Sequence, residues 1–381
     1  MSFRSSLMKA ADALVGPLLC KALSRAQTRT EHRRLQDVPG PVLVIRPGGI
    51  GDAAMLLPML AALEAAIPGR RIDVLCESRN AGIFRLARPG GRVVAYDAAP
   101  VAALRMLFRG GYGAVIDTEQ FHNASGVMAA LTRAPLRIGF KINTNRRGLY
   151  THLVSYDLDG PEDVQFGRLL SAACGIVATL PPRAGILAAA ALPTVPAGLL
   201  PARPFLLVHA GGSIPCKRCP APALGAACRA VAEERGLALV VIGAAADCAA
   251  AAELAVLLGP GAVNLCGRLN LSETAAACRA AAALVGPDSG IAHLAVAVGT
   301  PAVVVFGPSD PAKWGPPAGC GTAVAQPLPC SPCSIFGYTK PCRSFACINE
   351  IGPDQIAKAS RSVKFETRNL KLGLWATKLG L

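Results

Sequence analysis

Residues 285–316 read VGPDSGIAHLAVAVGTPAVVVFGPSDPAKWGP. The stretch has the layout of a strand, a polar turn that opens a helix over Gly290–Val298, a second strand and a loop rich in Pro and Gly. The first backbone N–H groups of a helix have no helical partner, and the helix dipole is positive at that end. Asp288, Ser289 and Gly290 therefore mark a predicted anion site, for which a phosphorylated ligand is suited.

The same alternation of strands and helices occurs on both sides of a predicted linker, the Pro- and Ala-rich segment Pro181–Pro204. Short apolar strands are predicted before it at 42–45, 72–76, 114–117 and 137–140, and after it at 205–210, 237–243, 283–286 and 302–307. Apolar strands that alternate with helices indicate buried parallel sheets. The predicted fold class is α/β, with two Rossmann-like domains whose parallel sheets face a central ligand-binding cleft.

Composition supports a folded chain with large cores, because 52% of the 381 residues are apolar and only 17% are charged. The formal charge of +15 is concentrated at the ends. Residues 1–36 hold seven basic and two acidic residues, and residues 358–381 hold six basic and one acidic. The body between them is nearly balanced, which argues against a nucleic-acid groove through the fold.

Both basic ends also carry apolar residues, such as Leu14 and Leu18 at one end and Trp375 at the other. Each end is predicted either to lie on an anionic membrane surface or to pack on its own domain. The sequence has no run of 18 strongly apolar residues, so a spanning helix is not expected. The scattered cysteines are typical of reduced thiols, and we expect a cytoplasmic protein, with contact at the cytoplasmic face of the inner membrane as one option.

A first Gly-rich motif, IRPGGIGD, follows the strand at 42–45. Gly48, Gly49 and Gly51 allow a sharp turn and a close approach to a ligand. Asp52 stands at the entrance of the next helix, where it is either an N-cap or a catalytic base.

The same turn also fits a loose dinucleotide fingerprint through Gly49, Gly51 and Ala54, with Glu77 as the ribose ligand. A nicotinamide-dependent enzyme is therefore an alternative. An acidic Asp52 inside the turn would repel a pyrophosphate there.

A second motif, HAGGSIPCKRCP, follows the strand at 205–210. Gly212 and Ser213 can present N–H groups and a hydroxyl to a phosphate, and Lys217 and Arg218 add positive charge. A surface basic pair is the other interpretation. In the third motif, His293 lies about one helical turn after Asp288, where it either faces the same ligand or packs inside.

Together, IRPGGIGD, KRCP and the stretch 285–316 resemble glycosyltransferase family 9, the heptosyltransferase family of lipopolysaccharide core assembly. The likeness runs from about Pro41 to Ile356. It implies a GT-B fold and metal-independent, inverting transfer of a sugar, typically heptose from ADP-heptose, to a lipid-linked glycan. The donor is a substrate, so no cofactor is expected. The alternative is a non-catalytic nucleotide-sugar or glycan-binding protein of the same fold.

The charge distribution, the linker and the resemblance together predict four regions: a basic amphipathic extension at 1–40, an acceptor domain at 41–185, a nucleotide-sugar donor domain at 204–357 and a basic tail at 358–381. The resemblance places the catalytic carboxylate on Asp52, in an acceptor-side loop with Gly48, Gly49 and Gly51. The implied donor-binding residues are Gly212, Ser213, Lys217, Arg218, Asp247, Asp288, Ser289, Gly290 and His293. Cys219 departs from the family pattern, which usually has an aromatic residue there, and Gly212 replaces a hydroxyl.

Two further groups leave alternatives open. Glu119, His122 and Asn123 are interpreted either as acceptor contacts or as a loop cap. Cys330, Cys333, Cys342 and Cys347 form either a four-thiolate zinc site, although their spacing is imperfect, or an ordinary thiol-rich loop. The expected site contains no metal.

Overall fold

The computed structural model describes residues 3–25, 33–87, 90–212, 214–335, 338–339 and 341–365. It also describes the side chains of these residues, except for those within 3–9 and 335–340. The chain forms two compact units, Met1–Ile186 and Leu187–Leu381. The boundary lies within the segment that the sequence predicts as a linker.

The first unit is built around a six-stranded sheet. Its strands are β1 (Val42–Arg46), β2 (Ile72–Cys76), β3 (Val93–Ala95), β4 (Ala114–Asp117), β5 (Leu136–Phe140) and β6 (His152–Val154). Its helices are α1 (Phe3–Arg25), α2 (Ile50–Ala66), α3 (Ala81–Ala87), α4 (Pro100–Arg109), α5 (Asn123–Leu131) and α6 (Glu162–Cys174), with short 3-10 helices at Leu35–Asp37 and Thr144–Leu149.

The second unit repeats the plan. Its strands are β7 (Phe205–His209), β8 (Ala238–Ile242), β9 (Val263–Asn264), β10 (Ala283–Pro287), β11 (Ala302–Phe306) and β12 (Gly321–Ala325), followed by the hairpin β13 (Ser334–Ile335) and β14 (Tyr338–Thr339). Its helices are α7 (Ala221–Arg235), α8 (Cys248–Leu258), α9 (Leu271–Ala280), α10 (Gly290–Ala297), α11 (Pro311–Trp314), α12 (Ala346–Asn349) and α13 (Pro353–Ser362), with 3-10 helices at Pro215–Lys217 and Ala245–Asp247.

The two large sheets have the same topology. The strand order is β3-β2-β1-β4-β5-β6 in the first and β12-β11-β10-β7-β8-β9 in the second, and every neighbouring pair is parallel. In each unit the order reverses beside the first strand, as in doubly wound nucleotide-binding folds. The prediction of an α/β chain with two Rossmann-like domains and parallel sheets is confirmed, as are all eight predicted strands.

The central strands are fully buried because helices cover both faces of the sheets. Their Val, Ile and Leu side chains form the core of each unit, for example Leu43, Ile45 and Val115 in the first and Val208, Val241 and Val285 in the second. This arrangement brings the carboxyl ends of β1 and β4, and of β7 and β10, side by side.

The N-terminal extension is part of the first unit over its described residues. α1 packs on α5 and on the 3-10 helix Thr144–Leu149, with Cys20 buried against Ala130 and Leu149. Packing on its own domain, one of the two predicted alternatives, is therefore observed for one face of α1. The basic tail lies outside the described residues from position 366 onward. Within the described ranges, none of the helices combines the length and the apolarity that a membrane span needs.

Candidate functional site

The Gly-rich turn after β1 positions Asp52 at the third residue of α2. Gly49 is the N-cap residue, and its backbone N–H donates to Asp52 Oδ2 over 2.7 Å. The interpretation of Asp52 as the N-cap is therefore wrong, because α2 begins at Ile50, earlier than expected. Gly48 has φ +121°, and a Cβ atom there would lie 2.7 Å from Asp52 Oδ2. Only glycine fits this turn without displacing the carboxylate.

Arg46, which none of the sequence motifs includes as a site residue, forms an ion pair with the other oxygen of Asp52. It is the last residue of β1, its side chain is 1% exposed, and its guanidinium donates to Asp52 Oδ1 at 2.8 Å and to the Thr118 carbonyl at 2.7 Å. Burial alone would lower the pKa of Arg46, but Asp52, Glu119 and Glu162 raise it above its ordinary value. The sequence did carry a signal for this residue, because a charged side chain ends the otherwise apolar strand VLVIR.

Asp52 is thus an oriented carboxylate with an open side. Each oxygen has a partner, while 26% of the side chain remains exposed. A carboxylate fixed by a cation and a backbone N–H can still accept a proton from a hydroxyl on its solvent side. The first unit therefore presents a suitable general base at the carboxyl end of its central strand.

The loop after β4 uses its polar side chains for its own structure. Glu119 accepts hydrogen bonds from the backbone N–H groups of Phe121 and His122. Asn123, the first residue of α5, donates its backbone N–H to Asp12 Oδ2 at 2.9 Å. Glu119 and Asn123 are buried. Their contacts match the loop-cap interpretation, whereas His122 is half-buried beside Asp12.

A second buried arginine, Arg146, supports this loop from the interior of the unit, and no sequence motif identified it. Arg146 donates to Asp117 Oδ2 at 3.3 Å and to the carbonyls of Glu119 and Gln120 at 2.7 and 2.9 Å. These carbonyls would otherwise be buried without partners, which costs free energy. Arg146 therefore fixes the loop between β4 and α5, and no local sequence pattern announces it.

In the second unit, Lys217, Asp288 and His293 form one cluster. Lys217 Nζ lies 2.6 Å from Asp288 Oδ2, and His293 Nε2 lies 3.9 Å from Asp288 Oδ1. Asp288 and His293 are buried, while Lys217 is partly exposed. Burial alone would raise the pKa of Asp288, but Lys217 and His293 hold it below its ordinary value of 3.8. The structure thus joins residues of the second and third motifs.

Ser289 caps α10. Its hydroxyl accepts from Ala292 N at 3.4 Å and lies 3.2 Å from His209 Nδ1. α10 runs to Ala297, so the predicted helix is present. The N-terminus of this eight-residue helix lies next to the Asp288 and Lys217 pair and carries a partial positive charge. This end of the sheet is therefore suited to an anionic ligand.

His209 gives a pH-dependent prediction. Burial lowers its pKa from 6.5 to about 4, so the folded protein binds this proton more weakly than the unfolded chain does. The free energy of unfolding is therefore expected to fall as the pH drops through 6.5 toward 4, by about 3 kcal/mol from this residue at 1.36 kcal/mol per pKa unit. Urea unfolding at neutral and acid pH measures this loss. His209→Gln should flatten the dependence, whereas the control His152→Gln should keep it.

The small-residue turn after β7 lies against Asp247. A Cβ atom on Gly211 would lie 2.3 Å from Asp247 Oδ2, which itself accepts from Ala244 N at 3.1 Å. Arg218 is exposed and donates its Nε–H to the Gly212 carbonyl at 3.4 Å. Asp247 is therefore next to the turn, and its role in donor binding stays a prediction. Ser213 lies outside the described residues.

The four cysteines of the C-terminal loop differ in exposure. Cys330 and Cys342 are exposed, Cys333 is half-buried and Cys347 is buried. The Cys342 thiol accepts from Phe345 N at 3.4 Å. In the part of the chain that the structure describes, no three His, Cys, Asp or Glu residues are arranged to hold a metal ion. Burial raises the pKa of the Cys347 thiol, and the nearby thiols of Cys333, Cys330 and Cys342 raise it further. The zinc interpretation of this loop stays a prediction.

Comparisons with known proteins agree with this architecture. The family model described as glycosyltransferase family 9 (heptosyltransferase) matches residues 101–342, a range that includes Lys217 and Asp288 but begins after Asp52. No curated protein sequence gives a significant match.

Three solved structures are similar in fold. E. coli ADP-heptose LPS heptosyltransferase II is 19% identical, with 84% of this chain and 97% of that chain covered and a TM-score of 0.65. A family 9 glycosyltransferase from Veillonella parvula is 16% identical, with 88% and 98% covered and a TM-score of 0.66. The iron-containing dodecameric glycosyltransferase TibC from enterotoxigenic E. coli is 17% identical, with 85% and 76% covered and a TM-score of 0.56.

Proposed function

The chain belongs to glycosyltransferase family 9 and is a glycosyltransferase, and from this premise we propose that it moves heptose from ADP-heptose to a lipid-linked glycan of lipopolysaccharide type. We further propose that transfer inverts the anomeric carbon and needs no metal. The observation that carries the proposal is the pairing of Lys217 with Asp288 beside the N-terminus of α10. Glu77, the ribose ligand of the nicotinamide alternative, is instead bound by Arg79 and Tyr96.

The proposed donor site lies on the second unit. The Lys217 ammonium and the first N–H groups of α10, at Ser289 and Gly290, are suited to a diphosphate. Asp288 and His293 would hold the sugar hydroxyls. Arg218 and Asp247, with Gly212, would complete the site around the phosphates and ribose. The ADP-heptose assignment is supported by the name of heptosyltransferase II and by a TibC structure in complex with ADP-D-β-D-heptose.

In the proposed reaction Asp52 accepts the proton of the attacking acceptor hydroxyl. The acceptor oxygen forms a bond to the anomeric carbon from one side while the bond to the donor phosphate oxygen breaks on the other, which gives inversion. ADP leaves with both electrons of that bond. Lys217 and the α10 N-terminus would stabilise its negative charge. The assignment of Asp52 is supported by its resemblance to the family's first Gly-rich motif and by its fixed, partly exposed carboxylate.

A metal-free reaction is consistent with this set of groups. TibC is named as iron-containing. In the present chain, the leaving diphosphate has a lysine and a helix N-terminus available to stabilise its negative charge. The proposed place of reaction is the cytoplasmic face of the membrane that carries the acceptor, which fits the fourteen free cysteines.

A thermal-shift screen of ADP-heptose, UDP-sugars, GDP-sugars and NAD, with and without EDTA, tests the donor. A ligand at 100 times its Kd stabilises by about 2.7 kcal/mol, which corresponds to roughly 5–10 °C for a domain of this size. ADP-heptose is expected to give this shift, UDP- and GDP-sugars and NAD none, and EDTA no change. A shift by another sugar nucleotide would reassign the donor, and a shift abolished by EDTA would end the metal-free proposal.

A further inference from the structure

α1 is apolar on two sides. One side packs inward through Gly16 and Cys20, which are buried. The other side exposes a row of large apolar residues, in which Leu14 is 76% and Leu18 is 69% exposed; Val15 and Leu19 extend the row. Exposed apolar side chains that form a contiguous patch mark an interaction surface.

α4 continues the same surface. Its exposed apolar residues Val101, Leu104 and Phe108 recur at helical spacing, and Phe108 is 60% exposed. α5 contacts both α4 and α1. Its Met128 and Leu131 pack against the core cluster that includes Met106 of α4, and its Val127 packs against the cluster that includes Cys20 of α1. The three helices therefore form one layer, here called the helical face, with apolar rows at both edges.

The helical face is also basic. Lys21 and Arg25 on α1, and Arg105 and Arg109 on α4, are exposed. Asp12 is the only acidic residue of α1, α4 and α5, and its carboxylate accepts the backbone N–H groups of Asn123 and Ala124 at the start of α5. No acidic side chain is left on these helices to offset the exposed cations.

We propose that the helical face docks on the headgroup layer of a membrane that contains anionic lipid. Leucine, valine and phenylalanine side chains would enter the boundary of the acyl chains, while lysine and arginine would meet the negative headgroups. A second copy of the chain is a poorer partner, because it would bring the same positive charge to the contact. Nucleic acid would leave the exposed apolar rows in water.

Docking would also bring the membrane to the acceptor side of the first unit. The helical face includes α5, whose N-terminus follows directly on Glu119 and His122. A lipid-linked acceptor held in the same membrane would then approach this loop from the side of α1. This last step rests on the proposed function, whereas the docking itself does not.

Flotation of the full-length protein with vesicles tests the docking. Binding to phosphatidylcholine vesicles that contain phosphatidylglycerol is expected to exceed binding to pure phosphatidylcholine at least tenfold. The double variant Leu14→Ser/Leu18→Ser should lose at least tenfold in binding, because two exposed side chains no longer enter the bilayer. Arg105→Gln and Arg109→Gln should each lose about fivefold, and only with the anionic vesicles.

Val256→Ser is the matched control, because Val256 is 80% exposed on α8 in the other unit. It should bind vesicles as the wild type does. Equal binding to both lipid mixtures, or unchanged binding of the Leu14→Ser/Leu18→Ser variant, would overturn the proposal. Light scattering that finds a dimer dissociated by these two substitutions, with no vesicle binding, would identify a second copy as the partner. The ADP-heptose thermal shift should be the same in every variant, so a failed donor assignment remains distinguishable.

Discussion

Asp52→Asn is expected to lower kcat about 1,000-fold while the Kd for the donor stays within about twofold. A positioned general base contributes roughly 10²–10⁴-fold to proton transfer, and an asparagine oxygen cannot accept the acceptor proton at neutral pH. The amide can still accept the hydrogen bond from Gly49 N, so the turn before α2 should keep its shape. Single-turnover transfer and donor titration measure the two quantities separately.

Loss of the Arg46 ion pair is the competing explanation for a slow Asp52→Asn enzyme. Arg46 is buried, and removing one partner of a buried pair can destabilise a protein by about 3–5 kcal/mol. Glu119 and Glu162 remain near Arg46 and reduce this cost. Urea unfolding shows whether the variant is folded under assay conditions. A folded variant with undiminished turnover would disprove the base assignment.

Asp37→Asn is the matched control for Asp52→Asn. Asp37 accepts a hydrogen bond from Arg34 N over 2.8 Å, in the same capping geometry that Asp52 has with Gly49. It is the last residue of the 3-10 helix Leu35–Asp37 and lies outside the Gly-rich turn, so its replacement should leave kcat unchanged. A similar loss in both variants would indicate that helix capping, rather than proton transfer, limits the rate.

The central strands could be predicted from sequence because burial on both faces demands continuous apolar runs, such as VLVI and AVVVF. The missed strands lie at or near the sheet edges. β3, β6 and β9 have two or three residues each, and β12 is only partly buried. Such strands need no apolar run, since their pairing is decided by the neighbouring strand already in place.

The site residues in turns could also be predicted, because a Gly-rich loop after a strand has a local cause. Arg146 and Asp12 could not. Arg146 reaches Asp117 across 29 positions, and Asp12 caps α5 across 111 positions. Contacts at this separation exist only after the sheet has formed, so no spacing rule applied to one sequence identifies them.

Lys217→Met is expected to lower kcat/KM about 100- to 1,000-fold, the range found when one preorganised donor to a developing negative charge is removed. The variant should also lose binding affinity, and this loss should be larger for ligands that carry a diphosphate. Affinity for ADP should fall at least tenfold more than affinity for adenosine, because the ammonium is proposed to contact phosphate only. Isothermal titration with both ligands measures the difference. Lys358→Met, at an exposed position of α13, is the control and should change neither.

The Lys217→Met variant also leaves Asp288 buried without its ammonium partner, and this effect must be separated from ligand binding. In the wild type, the lowered pKa of Asp288 stabilises the folded protein at pH values above 3.8, the pKa of this group in the unfolded chain. This stabilisation is lost as the pH falls through the pKa of the folded state. Without Lys217 the pKa of Asp288 should rise, so the variant should be less stable at neutral pH. Lys217→Met/Asp288→Asn removes the buried charge and should recover stability. Lys217 binds the diphosphate directly if ADP affinity stays low both in Lys217→Met and in the stable double variant, while Asp288→Asn alone binds ADP normally. If the double variant instead recovers its ADP affinity, Lys217 serves only to neutralise Asp288.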